Sequence, residues 1–191
     1  MNRPRSALRK PLIRLAVASS LLVLLAACGG GGPVQELSTD ATITGAVVKG
    51  PVASGKVCAY LIADGVQAGQ RACSATDDQG RYAVPLLSVK PAGETLVVAA
   101  TRMTGRYIDE ATGTQRALDA TLRSAVRVLP GDEATVMVTP LSELAMRRAE
   151  TSPVRLQQDS IDQAMTMVAT AFDVTDLRQT RPSDPTQASS V

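Results

Sequence analysis

The sequence predicts a mainly β chain: an antiparallel sandwich of about seven strands, followed by a short α-helical C-terminal region. Three observations carry this. Between Ala41 and Thr139, short β-branched runs alternate with clusters of Gly, Pro and Asp turn residues. After Thr139 the apolar period lengthens toward 3.6 residues. Before Ala41 stands a Gly-rich stretch, Gly29-Gly30-Gly31-Gly32-Pro33, with too little apolar content to join either pattern.

Taken in order, the first strand is Ala41 to Lys49, ended by Gly50-Pro51 because proline has no amide hydrogen to give a ladder. Lys56 to Ile62 is the second, Arg71 to Thr76 the third, Arg81 to Leu86 the fourth and Thr95 to Thr101 the fifth. Asp64-Gly65, Asp77-Asp78-Gln79-Gly80 and Pro91-Ala92-Gly93 separate them, all residues that tolerate turn dihedrals. The sixth and seventh runs, Ala117 to Leu129 and Ala134 to Thr139, flank Pro130-Gly131. Thr139-Pro140 then offers a helix cap with proline at the first helical position, and Leu141, Leu144, Ala145 and Arg148 follow at helical spacing. A second helix has a capping-box start at Ser160 and an apolar stripe of Ile161, Met165, Val168 and Phe172. Arg178 to Val191 is polar, carries Pro182 and Pro185, and is expected to lack fixed structure.

The first residues decide where the chain lives. Arg3, Arg5, Arg9, Lys10 and Arg14 precede an uncharged run from Leu15 to Ala27, too short to span a bilayer comfortably, and Leu25-Ala26-Ala27-Cys28 closes it. This order resembles the signal peptide and lipobox of bacterial lipoproteins. The resemblance implies cleavage after Ala27, lipidation of Cys28 and, since Gly29 and not Asp follows, anchoring in the outer membrane. The organisation is then a signal peptide over 1–27, a lipidated cysteine and Gly-rich tether over 28–40, a sandwich over 41–139, a helical extension over 140–177 and a polar tail over 178–191. The leader holds five of the 20 Lys and Arg and none of the 18 Asp and Glu. The remaining chain, with 15 basic against 18 acidic side chains, is therefore net −3. That balance removes the global support for nucleic-acid binding, which needs a clustered cationic face.

The stretches TGAVVKGPVASGKVCAY, TDDQGRYAV (Thr76 to Val84) and GRYIDEATG (Gly105 to Gly113) resemble the carboxypeptidase-regulatory-like, or transthyretin-like, sandwich domains of bacterial envelope lipoproteins. VTPLSELA is similar to an element that follows the sandwich in the same proteins. The resemblance implies an Ig-like fold and a non-catalytic accessory or adhesion role, and it brings no catalytic residue.

The chemistry-bearing residues are few. Gly50 to Lys56 has the G-x-x-x-x-G-K spacing of a phosphate loop, but Val57 stands where Ser or Thr is needed and a strand follows in place of a helix. The segment therefore reads as a turn. In a hairpin of the second and third strands, Cys58 and Cys73 face each other across a turn centred on Gly65 and Val66, and an oxidising compartment would favour a disulfide. The alternative is two buried thiols. Asp77, Asp78, Asp109 and Glu110 could gather around calcium if two loops meet, but turn chemistry and solvation explain them without a metal, and no spacing here matches a calcium loop. The sequence contains no histidine, which excludes Ser-His-Asp and Cys-His catalysis, and neither G-x-S-x-G nor S-x-x-K occurs. No cofactor is implied.

Only Tyr60, Tyr82, Tyr107 and Phe172 are aromatic. Tyr60 and Tyr82 are expected in or beside the core. Tyr107 belongs either at a surface or under its own loop. The reading is a lipid-anchored, non-catalytic envelope protein, an accessory, adhesion-type or structural binding module whose partners are the membrane and an envelope protein or glycan. The alternatives are the anchoring segment or shortened relative of an envelope hydrolase, and a truncated copy without independent function.

Overall fold

The computed structural model describes residues 40–182. Cys28, the leader, the tether and most of the polar tail lie outside the described residues. The fold is mainly β with antiparallel sheets and two C-terminal helices. The strands are β1 (Ala41–Ala46), β2 (Lys56–Ala63), β3 (Val66–Ala75), β4 (Arg81–Leu86), β5 (Glu94–Ala100), β6 (Arg106–Ile108), β7 (Gln115–Ala117), β8 (Leu122–Val128) and β9 (Glu133–Thr135). They are followed by α1 (Pro140–Glu150) and α2 (Gln158–Ala171). One sheet has the order β4-β1-β9, a second β3-β2-β5-β8, and β6 and β7 form a small ribbon. β9 runs parallel to β1, so the first sheet is mixed.

Period-2 alternation divides the core in two. Val57, Ala59, Leu96, Val98, Leu122, Val126 and Val128 turn one face of the four-stranded sheet toward Ile43, Val84 and Leu86 of the other sheet. The opposite face presents Val97 and Ala125, with half-buried Tyr60 and Ile62, to Met146, Ile161, Met165 and Val168 of the helices. The four-stranded sheet is thus the middle layer, and apolar burial on both of its faces is the main force that orders the chain.

The described chain has nine strands where the sequence predicts seven. β6 and β7 are three residues each, too short for alternation to register, and the expected sixth run is divided by Leu118, which turns inward and pairs its backbone with Met103 and Gly105. The first strand stops at Ala46, because Val47 and Val48 change partners: Val52 N–H donates back to Val47, and Val48 N–H to Val138. The third strand begins five residues before its expected start. Asp64 and Gly65 both take left-handed φ, 52° and 72°, the condition for a two-residue hairpin turn, so pairing continues down to Ala63 and Val66.

Thr139 caps α1 as expected. Its Oγ1 accepts from Ser142 N–H at 3.1 Å, Ser142 Oγ accepts from Thr139 N–H at 2.8 Å, and Pro140 opens the helix. The buried face, however, is Ser142, Glu143, Ala145, Met146 and Ala149, while Leu144 is exposed. The helix is turned by polar bonds to β8, including Ser142 Oγ to the Arg123 carbonyl at 2.8 Å. α2 starts two residues ahead of Ser160, which sits in its first turn and accepts from Gln157 N–H. Ile161, Met165 and Val168 are buried as expected; Phe172 is exposed because it follows the helix end with φ −110° and leaves the stripe. The tail is not free of structure from Arg178: the Arg178 guanidinium donates to Asp162 at 2.6 Å and to the Ala125 carbonyl at 2.8 Å.

Tyr82, in β4, is buried and donates its hydroxyl to the Val136 carbonyl at 2.6 Å, and burial pushes its pKa upward. Tyr82→Phe leaves that carbonyl without its partner. The expected cost is about 1–2 kcal/mol, read as a lower denaturant midpoint at unchanged slope.

Candidate functional site

Cys58 and Cys73 stand directly opposite each other in the β2–β3 pair and are joined as a disulfide, across a sequence separation of 15. The expected facing of the two cysteines holds, but the turn lies at Asp64-Gly65 and not at Gly65-Val66. Register shifts between Ala59 and Tyr60, and between Tyr60 and Ile62, displace it. Replacing both cysteines by alanine is expected to cost about 3 kcal/mol on the chain-entropy account. The same loss should appear when the parent is unfolded with reductant present.

The acidic residues considered for calcium are engaged in turns. Asp77 Oδ1 accepts from the backbone N–H groups of Arg81 and Gln79 at 2.8 and 2.9 Å, and Oδ2 meets Arg81 Nε at 2.9 Å. The Arg81 amide, followed by its guanidinium, holds the Asp77 carboxyl below its ordinary value. Asp109 is lowered first by the Thr112 hydroxyl, which donates at 2.9 Å, and Arg116 lies at 3.6 Å. Asp78 and Glu110 are exposed. No group of three or more metal-ligating side chains occurs among the described residues. Residues 50–55 form a turn pinned by Thr76, whose Oγ1 accepts from Gly55 N–H at 2.7 Å and donates to the Val52 carbonyl at 2.5 Å, and Lys56 opens a strand. Tyr107 is buried at 5% exposure, so it is no surface anchor, and Lys49 Nζ lies 5.1 Å from its ring centroid.

A crevice also lies between the edges of the two larger sheets. β3 and β4 are outermost strands of different sheets, and between residues 70–72 and 85–88 lies a crevice of about 610 Å³. Arg71 crosses it: Nη2 donates to the carbonyls of Leu87 and Ser88 at 2.6 and 3.0 Å. Behind Arg71 is Glu94, the first residue of β5, in phase with inward-facing Leu96 and Val98. Its side chain is 4% exposed, Arg71 Nη2 is 3.7 Å from Oε2, and neither carboxylate oxygen has a hydrogen-bond partner among the described residues. A distance of 3.7 Å is attraction without a hydrogen bond. Sequence alone hides Glu94 because it follows Pro91-Ala92-Gly93 and reads as the polar end of a turn. The usable signal was its even-number phase with Leu96 and Val98.

No family model matches the chain, and no curated protein matches it. Among solved structures, a 9R-lipoxygenase from Cyanothece PCC8801 is similar at 14% identity and a TM-score of 0.30, over 51% of this chain and 16% of the lipoxygenase. The chain therefore spans about a sixth of that enzyme's length, and a likeness so slight carries nothing across.

Proposed function

We propose that the chain is an exported, lipid-anchored, non-catalytic module of the bacterial cell envelope, held in the outer membrane through Cys28, with a carboxypeptidase-regulatory-like sandwich as its folded part. The observation that carries the reading is the Cys58–Cys73 bond. Disulfides persist in oxidising compartments and are rare where thiols are kept reduced. A cationic, apolar and small-residue leader ending at Cys28 agrees with that compartment. Acyl chains on Cys28 would each add ~0.8 kcal/mol per buried methylene, and two such chains give stable anchoring. Two sheets sharing one apolar core, with TDDQGRYAV forming the turn into β4, support the sandwich. No helix among the described residues is long and apolar enough to cross a membrane.

The test is the intact mass of chain extracted from membranes, with and without reductant, beside a Cys28→Ser form. The expected result is a lipidated chain beginning at Cys28 that gains two hydrogens on reduction, and a Cys28→Ser form that leaves the membrane fraction. A full precursor in the soluble fraction with three free thiols would overturn the proposal.

A further inference from the structure

We infer that the end of the sandwich around Met103 rests on the surface of an anionic phospholipid bilayer, with Met103 and Ile108 in the interface and Lys56, Arg102 and Arg106 against lipid phosphates. This deepens the lipid-anchored reading, and rests on it, by naming the face that the anchor brings to the membrane. Met103 is the starting point. It is 66% exposed, more than any other large apolar side chain among the described residues. It also takes a left-handed φ of 62°, and the other non-glycine residues that do so there, Ser54, Asp64, Ser88, Arg155 and Asp173, are all polar. That conformation costs free energy for a residue with a side chain, and Met103 is held in it by its N–H, which donates to the Leu118 carbonyl at 2.7 Å. The turn thus presents an apolar side chain to solvent where glycine or a polar residue would sit more easily.

The surroundings select the partner. Lys56 N–H donates to Thr104 Oγ1 at 2.9 Å, and Ala53 and Arg106 exchange backbone hydrogen bonds, which gathers Lys56, Arg102 and Arg106 around this turn. All three side chains are exposed, and none forms an ion pair among the described residues. Asp109 and Asp119, further along, are already met by Arg116 at 3.6 Å and Lys49 at 2.7 Å, and exposed Glu110 lies in the turn at the far end of the β6–β7 ribbon. Tyr107 is buried, so Arg106 and Ile108 share the outer face of β6. Free cations beside exposed apolar side chains match a bilayer interface, which offers phosphates at its surface and hydrocarbon beneath. An anionic polymer would use the cations and leave Met103 and Ile108 in water. Reach agrees. Ala53, paired with Arg106, lies beyond the Ala46 end of β1, away from Asp40, and the six residues of β1 cover ~20 Å. Residues 29–39 separate Cys28 from Asp40 and span up to about 40 Å when extended, enough to bring this end to the membrane.

The experiment is co-sedimentation of the processed chain, residues 28–191 with Cys28→Ser and the disulfide intact, with vesicles of phosphatidylglycerol and, separately, of phosphatidylcholine, beside a titration with dextran sulfate. Binding to phosphatidylglycerol is expected to be about a hundredfold tighter than to phosphatidylcholine and to weaken with added salt. Met103→Gly should weaken it about fivefold while the thermal midpoint stands at or above the parent's, since glycine takes left-handed φ freely; that separates loss of binding from loss of fold. Arg102→Gln and Arg106→Gln should each weaken it about fivefold. Equal binding to the two lipids, or phosphatidylglycerol binding unchanged in Met103→Gly or in the arginine variants, would overturn the inference. Tighter binding of dextran sulfate that ignores Met103→Gly would do so too, making this end a site for an anionic polymer. The Cys28→Ser chain carries no acyl group, so failure of the vesicle result leaves the mass result standing, and the reverse.

Discussion

Gly45→Ala is expected to destabilise the folded chain by about 3 kcal/mol or more, a large share of the ~5–15 kcal/mol that holds a domain together. Gly45 lies in β1 with φ 155°, opposite Tyr82 and beside Val136. A Cβ built there would sit 1.9 Å from the Val136 carbonyl oxygen and 2.8 Å from the Tyr82 hydroxyl. The chain after β9 must run this close to β1, since Val136 N–H donates to the Thr44 carbonyl and Val138 N–H to that of Ala46. Alanine would push the two strands apart at a backbone atom, which cannot rotate away as a side chain can. Both the Tyr82 bond and the parallel pairing would weaken together. Denaturant unfolding checks this, and adding Tyr82→Phe to Gly45→Ala should give no rescue, because the carbonyl remains. A midpoint equal to the parent's would mean that β1 and the 136–138 segment do not approach as described.

The features legible in the sequence are those fixed by local chemistry. The bounds of β4, Arg81 and Leu86, are legible because Asp77 and Gly80 make a self-contained turn and Tyr82, Val84 and Leu86 alternate without interruption. The α1 start was legible for the same reason, since Thr139, Pro140 and Ser142 form their cap among themselves. The facing of Cys58 and Cys73 followed from hairpin parity, although the irregular pairing below Ala59 moved the turn by one residue. The hidden features depend on partners far along the chain. Which face α1 buries is decided by Arg123, 20 residues before Glu143, and Tyr107 is buried as part of the core shared by the two sheets. The crevice was out of reach because it needs β3 and β4, members of different sheets, brought side by side, and neither Arg71 nor Glu94 belongs to a motif.

Arg123→Met is expected to cost about 3 kcal/mol, because it strands a buried carboxylate and does not merely delete an ion pair. Arg123 Nε and Nη2 each donate to Glu143 at 2.9 Å, and Nη1 and Nη2 reach Glu150 at 2.5 and 3.1 Å. Glu143 first, then Glu150, raise the pKa of the Arg123 guanidinium. The Arg123 and Glu143 side chains are 14% and 10% exposed, so water replaces little of the lost partner; Arg147, at 68% exposure, still meets Glu143 at 2.8 Å and softens the effect. These bonds also hold α1 on β8, so the loss should reach the second core cluster, with faster amide exchange through Ala145, Met146 and Ala149. The pair itself need not be stabilising compared with apolar side chains, since both charges lose hydration. Arg123→Met with Glu143→Leu should therefore be more stable than Arg123→Met alone, with a coupling of about 0.5–3 kcal/mol. If the two losses simply added, the stranded-carboxylate account would be wrong. Arg123 would then serve α1 through packing of its aliphatic stem.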